Sequence, residues 1–151
     1  KPVETQAWPP ENFRKRLEEY GKFAKPEGSV AARWKEMRQH RKIDAAVEPR
    51  ANDYIVATGA ELQLLCGWTR ISHLIYVGFA ANWCVLFRDY GLRERALEGY
   101  NVILLRDCTT AVENAYTIRQ KSMTKFAILE AEEVFRIATA TSADFIRASK
   151  G

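Results

Sequence analysis

The chain has 151 residues, 47% hydrophobic and 28% charged, with a net charge of +4. That balance fits one globular domain, and no apolar run approaches the roughly 18 residues that a membrane-spanning helix needs. Three cysteines without a C-x-x-C pair, and two histidines, argue against a disulfide scaffold and a zinc-type ligand set, so a reducing cytoplasm with no metal and no cofactor is expected.

The opening residues, Lys1-Pro2-Val3, carry no secretory pattern. The Pro9-Pro10 pair suits a helix start, and Phe13, Leu17, Tyr20 and Phe23 share one helical face over residues 11–23. Ser29 caps a second expected helix that runs to about Lys42, with Trp34 and Met37 on one face. The basic excess lies in this part: residues 1–50 hold 12 Lys and Arg against 8 Asp and Glu, while residues 51–151 hold 11 of each. Without a nucleic-acid motif beside it, the basic stretch 33–42 reads as a solvated helix face, and a nucleic-acid partner is not expected.

After residue 46 strands and helices alternate. Tyr54–Ala57 reads as a short strand, and Thr58-Gly59 opens a helix that Gly67 ends. His73–Val77 is a continuous apolar strand, as in a sheet covered on both faces. The loop 78–82 follows, and a helix is expected from Cys84 to Glu98, broken or kinked at Gly91 and capped by Gly99. Asn101–Leu105 is a second buried strand with a polar loop, 107–110, after it. Residues 113–135 read as largely helical with an interruption near Lys121-Ser122. Ile137–Thr141 is a last strand, and Ser142 caps a terminal helix. Alternation of this kind implies a parallel sheet with right-handed crossovers, whose ligands bind where the strands end.

Three loops then converge on one sheet edge: 57–59, 78–84 and 106–110. Cys84 sits in the middle one, at a strand-to-helix junction where unpaired N–H groups favour a thiolate. It reads either as a nucleophile or as a small buried hydrophobe. Thr58, Gly59, Asn82, Trp83, Asp107 and Thr110 are the candidate pocket residues, each with a packing or capping reading beside it. Arg88, one turn after Cys84, can pair with Asp107 or face a substrate carboxylate. His73 lies too far back along its strand to act as a base.

The stretch Val77-Gly78-Phe79-Ala80-Ala81-Asn82-Trp83-Cys84-Val85, followed by Gly99-Tyr100-Asn101-Val102-Ile103-Leu104-Leu105-Arg106-Asp107, resembles the isochorismatase-like cysteine hydrolases. The resemblance covers roughly residues 47–145. It implies a three-layer Rossmann-like parallel sheet with helices on both faces, with residues 47–151 as the core and residues 1–46 as a helical cover. It implies that Cys84 attacks a small amide or carbamoyl compound. The Ala80 and Cys84 N–H groups would form the oxyanion hole, beside a cis peptide at Phe79–Ala80. It also implies assembly into dimers or tetramers.

The family's triad Asp ends a first strand in a hydrophobic-Asp-x-Gln setting, and its Lys follows the strand that matches Tyr54–Val56. This sequence has neither: Ala57-Thr58 stands where the Lys would be, and Lys42 and Arg50 are the nearest upstream cations. The expectation is therefore a core incomplete at its N-terminus, with the triad Asp and Lys unassigned. A non-catalytic member that binds a small metabolite or a protein partner is the second expectation.

Overall fold

The computed structural model describes residues 8–24, 35–40 and 42–150. The chain divides into two compact units, residues 1–50 and 51–151. In the first unit the expected helix over 11–23 is split. Helix α1 (Glu11–Lys15) ends at Arg16, which is left-handed at φ 55°, and a 3₁₀ helix (Glu18–Phe23) follows. The split lets the ring of Phe13 meet Tyr20 at 5.1 Å and Phe23 at 6.2 Å, an aromatic cluster that takes over the shared face. Trp8–Pro9 is a cis peptide. Of the expected second helix, residues 35–39 are helical; Ser29, Trp34 and part of the basic stretch lie outside the described residues.

The second unit is an α/β arrangement built on a three-stranded sheet. In chain order it runs α2 (Gly59–Thr69), β1 (His73–Phe79), a π-helical turn (Ala81–Val85), α3 (Leu92–Leu97), β2 (Asn101–Thr110), α4 (Ser122–Leu129), a second π-helical turn (Glu130–Val134), β3 (Ala138–Ala140) and α5 (Ser142–Ala148). The strand order is β1-β2-β3 and both pairs are parallel. This is compatible with a Rossmann-like fold.

The apolar run of β2 is central and fills the core. Val102 and Leu104 are buried with Leu86, Leu92, Ala127, Ala131 and Ile137 in one cluster. Full burial of a leucine such as Leu86, Leu92 or Leu104 contributes about 1.5–3 kcal/mol each. Leu105 points to the opposite face of β2, is buried outside that cluster, and lies on the strand against which α5 packs. The strand is twice as long as expected. Residues 107–110 continue it instead of forming a loop, because the register slips: β1 advances from Tyr76 to Gly78 while β2 advances from Leu104 to Thr109.

Four expectations are corrected here. Tyr54–Ala57 forms no regular element and has no strand partner among the described residues. The Tyr54 ring packs edge-on against Trp68 of α2 at 6.1 Å instead. The helix expected over 113–135 begins only at Ser122, after Lys121 turns the chain at φ 51°. The terminal helix is capped by Thr141, whose hydroxyl accepts from the Asp144 N–H, so Ser142 is its first residue. Gly67 does not end α2, which runs on to Thr69 and stops at the left-handed Arg70 (φ 59°), but two other glycines meet their expected roles. Gly99 turns the chain at φ 89° after α3, and the helical run stops before Gly91.

Gly91 is needed for close approach: a Cβ there would lie 2.7 Å from the Val85 carbonyl oxygen and 2.9 Å from that of Arg88. Gly91→Ala is therefore expected to lower stability by about 1–3 kcal/mol, measured by denaturant unfolding. Glu113 generates a second prediction. Burial pushes its pKa up, but hydrogen bonds from Thr117, the Thr124 N–H and hydroxyl, and the Met123 N–H outweigh this and bring it from 4.5 down to about 2. A depressed carboxylate pKa stabilises the fold above about pH 4.5, and that stabilisation is lost as pH falls through 2. The unfolding midpoint of Glu113→Gln should lie below wild type at pH 6, and the gap should close by pH 2.

Candidate active site

Cys84 stands one turn past the end of β1. The chain reverses at Ala80, which is left-handed at φ 60° and ψ 50°, and then winds into the π-helical turn. The Ala80 carbonyl accepts from Trp83 N–H at 2.9 Å and from Val85 N–H at 3.3 Å, which locks the wide turn. Phe79–Ala80 is not a cis peptide: the turn is made by the left-handed Ala80, a conformation that a residue with a Cβ adopts only where neighbours enforce it.

The helix continues through Phe87, and Arg88 N–H donates to the Cys84 carbonyl at 3.3 Å. Trp83 and Phe87, and Cys84 and Arg88, are therefore two i,i+4 pairs on adjoining rows of one helical surface. These four side chains line an open cavity of about 450 Å³. Trp83 and Phe87 are each 50% exposed. Phe87 is braced by an edge-on contact with Phe135 at 6.1 Å. Cys84 is half-buried. It also faces a second cavity of about 280 Å³, lined by Tyr76, Val77, Phe79, Val85, Tyr90 and Gly91. The thiol thus lies between two hollows at the C-terminal end of a parallel strand.

Arg88 lines the cavity beside Cys84, and interaction with the neighbouring Cys84 side chain holds its pKa above the ordinary arginine value. Tyr76 sits below. Its hydroxyl donates to the Tyr90 carbonyl at 2.6 Å, and burial pushes its pKa up to about 12. That bond holds the turn 88–91 against β1, and with it the backbone of Arg88.

The other residues singled out from sequence serve the fold. Thr58 caps α2: its hydroxyl accepts from the Glu61 N–H at 3.2 Å, and the Glu61 carboxylate accepts from the Thr58 N–H at 3.1 Å. Gly59 N–H donates to the Asp89 carboxylate at 2.7 Å. Asn82 clamps the chain after β2, accepting from the Val112 N–H at 2.9 Å and donating to its carbonyl at 3.4 Å. Asp107 accepts from the Ser142 hydroxyl at 2.6 Å and N–H at 2.8 Å, and these bonds hold its pKa below the ordinary carboxylate value. Thr110 pairs with Phe79 across the sheet and lies within 3.4 Å of the Thr124 hydroxyl.

None of Thr58, Gly59, Asn82, Asp107 and Thr110 lines either cavity beside Cys84; Trp83 does. His73 is bonded to Ser72 at 3.0 Å and Asn101 at 3.2 Å, at the far end of β1. Cys66 is buried and Cys108 is exposed. Phe87 and Tyr90 are lining residues that the motif did not mark. The i,i+4 spacing from Trp83 is the signal that points to Phe87.

Among the described residues no group of three or more His, Cys, Asp or Glu side chains is placed to hold a metal ion. No helix among them is long and apolar enough to cross a membrane. No protein family, curated protein or solved structure matches the chain.

Because Asp107 caps α5 and does not face the thiol, Asp107→Ala should lower the thermal midpoint while leaving the rate of Cys84 alkylation by iodoacetamide within twofold of wild type. Labelling followed by peptide mapping reads the second quantity.

Proposed function

We propose that Cys84 is a nucleophile and that the second unit is a cysteine-dependent hydrolase of a small amide or carbamoyl compound. The observation that carries the reading is the placement of Cys84 and Arg88 together in the lining of an open cavity at the end of a parallel strand. Cysteine sulfur is an intrinsically strong nucleophile, and half-burial leaves this one within reach of a ligand in the cavity. The strand end is where open α/β sheets bind ligands.

In the proposed reaction the thiolate adds to the carbonyl carbon. The C–S bond forms, and the tetrahedral oxyanion takes N–H donors from Ala80 and Cys84. The C–N bond then breaks. The amine leaves with a proton drawn from water in the open cavity, because neither cavity is lined by Asp, Glu, Lys or His. Hydroxide from that water, or a second water, adds to the thioester. The C–O bond forms, the C–S bond breaks, and the acid departs as the thiolate is restored.

That same absence of Asp, Glu, Lys and His favours a second reading, in which the cavity binds a small metabolite without turnover. The two separate on one experiment. Under the hydrolase reading a panel of small amides and carbamoyl compounds yields ammonia or amine, and Cys84→Ala abolishes release by at least 100-fold with an unchanged circular dichroism spectrum. Turnover that survives Cys84→Ala sinks the nucleophile assignment. No turnover on any compound, with saturable ligand protection of Cys84, leaves the binding reading standing in its place.

A further inference from the structure

We propose that the cavity beside Cys84 takes a small anion, a carboxylate attached to a flat apolar or aromatic group, with Arg88 as its charge partner and Trp83 and Phe87 as its walls. The inference builds on the reading of Cys84 as the reactive centre and names the class of ligand presented to it.

Four side chains of complementary chemistry meet in this one hollow. Arg88 makes no ion pair among the described residues. The carboxylate next in sequence, Asp89, is occupied by the Gly59 N–H at 2.7 Å. No acidic group lines the cavity. A guanidinium so placed offers a planar fork of donors matched to a carboxylate.

The walls set the rest of the ligand. Trp83 and Phe87 are both half-exposed and belong to the same helical row, so their aromatic surface lies beside the row that carries sulfur and guanidinium. Aromatic surface of this kind favours a flat apolar partner by stacking or edge contact. The volume of about 450 Å³ falls within the range of small-molecule sites. A neutral aliphatic amide would use the thiol and leave both the guanidinium and the rings unmatched.

Alkylation tests this without any turnover, so its outcome is separate from that of the hydrolase reading. Iodoacetate and iodoacetamide have nearly the same size and differ in charge. Their second-order rates at Cys84 are measured on the full chain at pH 7 by peptide mapping, for wild type, Arg88→Gln and Arg88→Lys. The expected result is an iodoacetate-to-iodoacetamide rate ratio at least tenfold higher in wild type than in Arg88→Gln, with Arg88→Lys in between. Added benzoate should slow labelling of wild-type Cys84 at least fivefold more than benzamide does, which needs no variant to fold. Equal rate ratios in wild type and Arg88→Gln, or equal protection by benzoate and benzamide, overturn the proposal.

Discussion

The guanidinium of Arg95 holds together what the apolar core does not reach. Helix α2 contributes no residue to the main buried cluster, so packing alone does not fix it. Arg95 is 3% exposed and sits where three segments meet. It donates to the Asp89 carbonyl at 2.8 Å, to Gln63 of α2 at 3.2 Å and to Glu98 at 2.7 Å, and it lies over the Tyr100 ring at 5.9 Å. Its charge is thereby paired while the side chain is buried, which is the condition for keeping an arginine inside. The bond to the Asp89 carbonyl matters most for the site. It fixes the turn that follows Arg88, and the bond from Tyr76 to the Tyr90 carbonyl fixes the same turn from the sheet side. The position of Arg88, one turn after Cys84, depends on this double tether.

The sheet shows where the unit is least self-sufficient. β2 is covered on both faces, by the main cluster and by the side that carries α5. Among the described residues β1 is an edge strand with one face largely bare: His73, Ile75, Val77 and Phe79 all point to it, and Phe79 is 72% exposed. The strand carries no charged Lys, Arg, Asp or Glu, and no proline, the usual means of protecting an edge. The same strand delivers the chain to Ala80 and Cys84. The site is therefore built against the least protected part of the sheet, and its order rests on the Arg95 and Tyr76 tethers more than on burial.

Much of this was legible in the residues, for reasons that can be named. Gly91 and Gly99 stand inside and after a helical pattern, and glycine marks such positions because a Cβ has no room at the first and the backbone has a positive φ at the second. The junction at Cys84 was legible because an apolar strand, small residues and a helical pattern follow one another without a gap. The π-helical winding was not legible, since one extra residue per turn leaves composition and spacing almost unchanged over five residues.

Tyr54–Ala57 misled because an apolar connection and a strand have the same composition and differ only in whether a neighbour pairs with them. Glu113 misled for a different reason. Its segment has helical spacing, but its carboxylate reaches forward to the amides at the start of α4 and caps that helix from outside. Asp107, Thr58 and Asn82 show a general ambiguity. Polar residues at strand ends serve as caps or as site groups, and only the placement of α2, α5 and the chain after β2 decides between them. The cis bond at Phe79–Ala80 came from resemblance, not from any property of those two residues, and a left-handed Ala80 makes the turn without it.

The candidate site is short in sequence, and this bears on how it works. Trp83, Cys84, Phe87 and Arg88 fall within six residues, arranged as two i,i+4 pairs. Their mutual placement is set by one stretch of helix, with the long-range structure needed only to hold its two ends. At the first end, Ala80 and the Asn82 clamp on Val112 fix the entry. At the second, the tethered turn through Asp89 and Tyr90, closed by Gly91, fixes the exit. Loss of either tether would let the turn relax and shift Arg88 relative to Cys84. The geometry of the site thus rests on a few hydrogen bonds, each contributing about 0.5–1.5 kcal/mol.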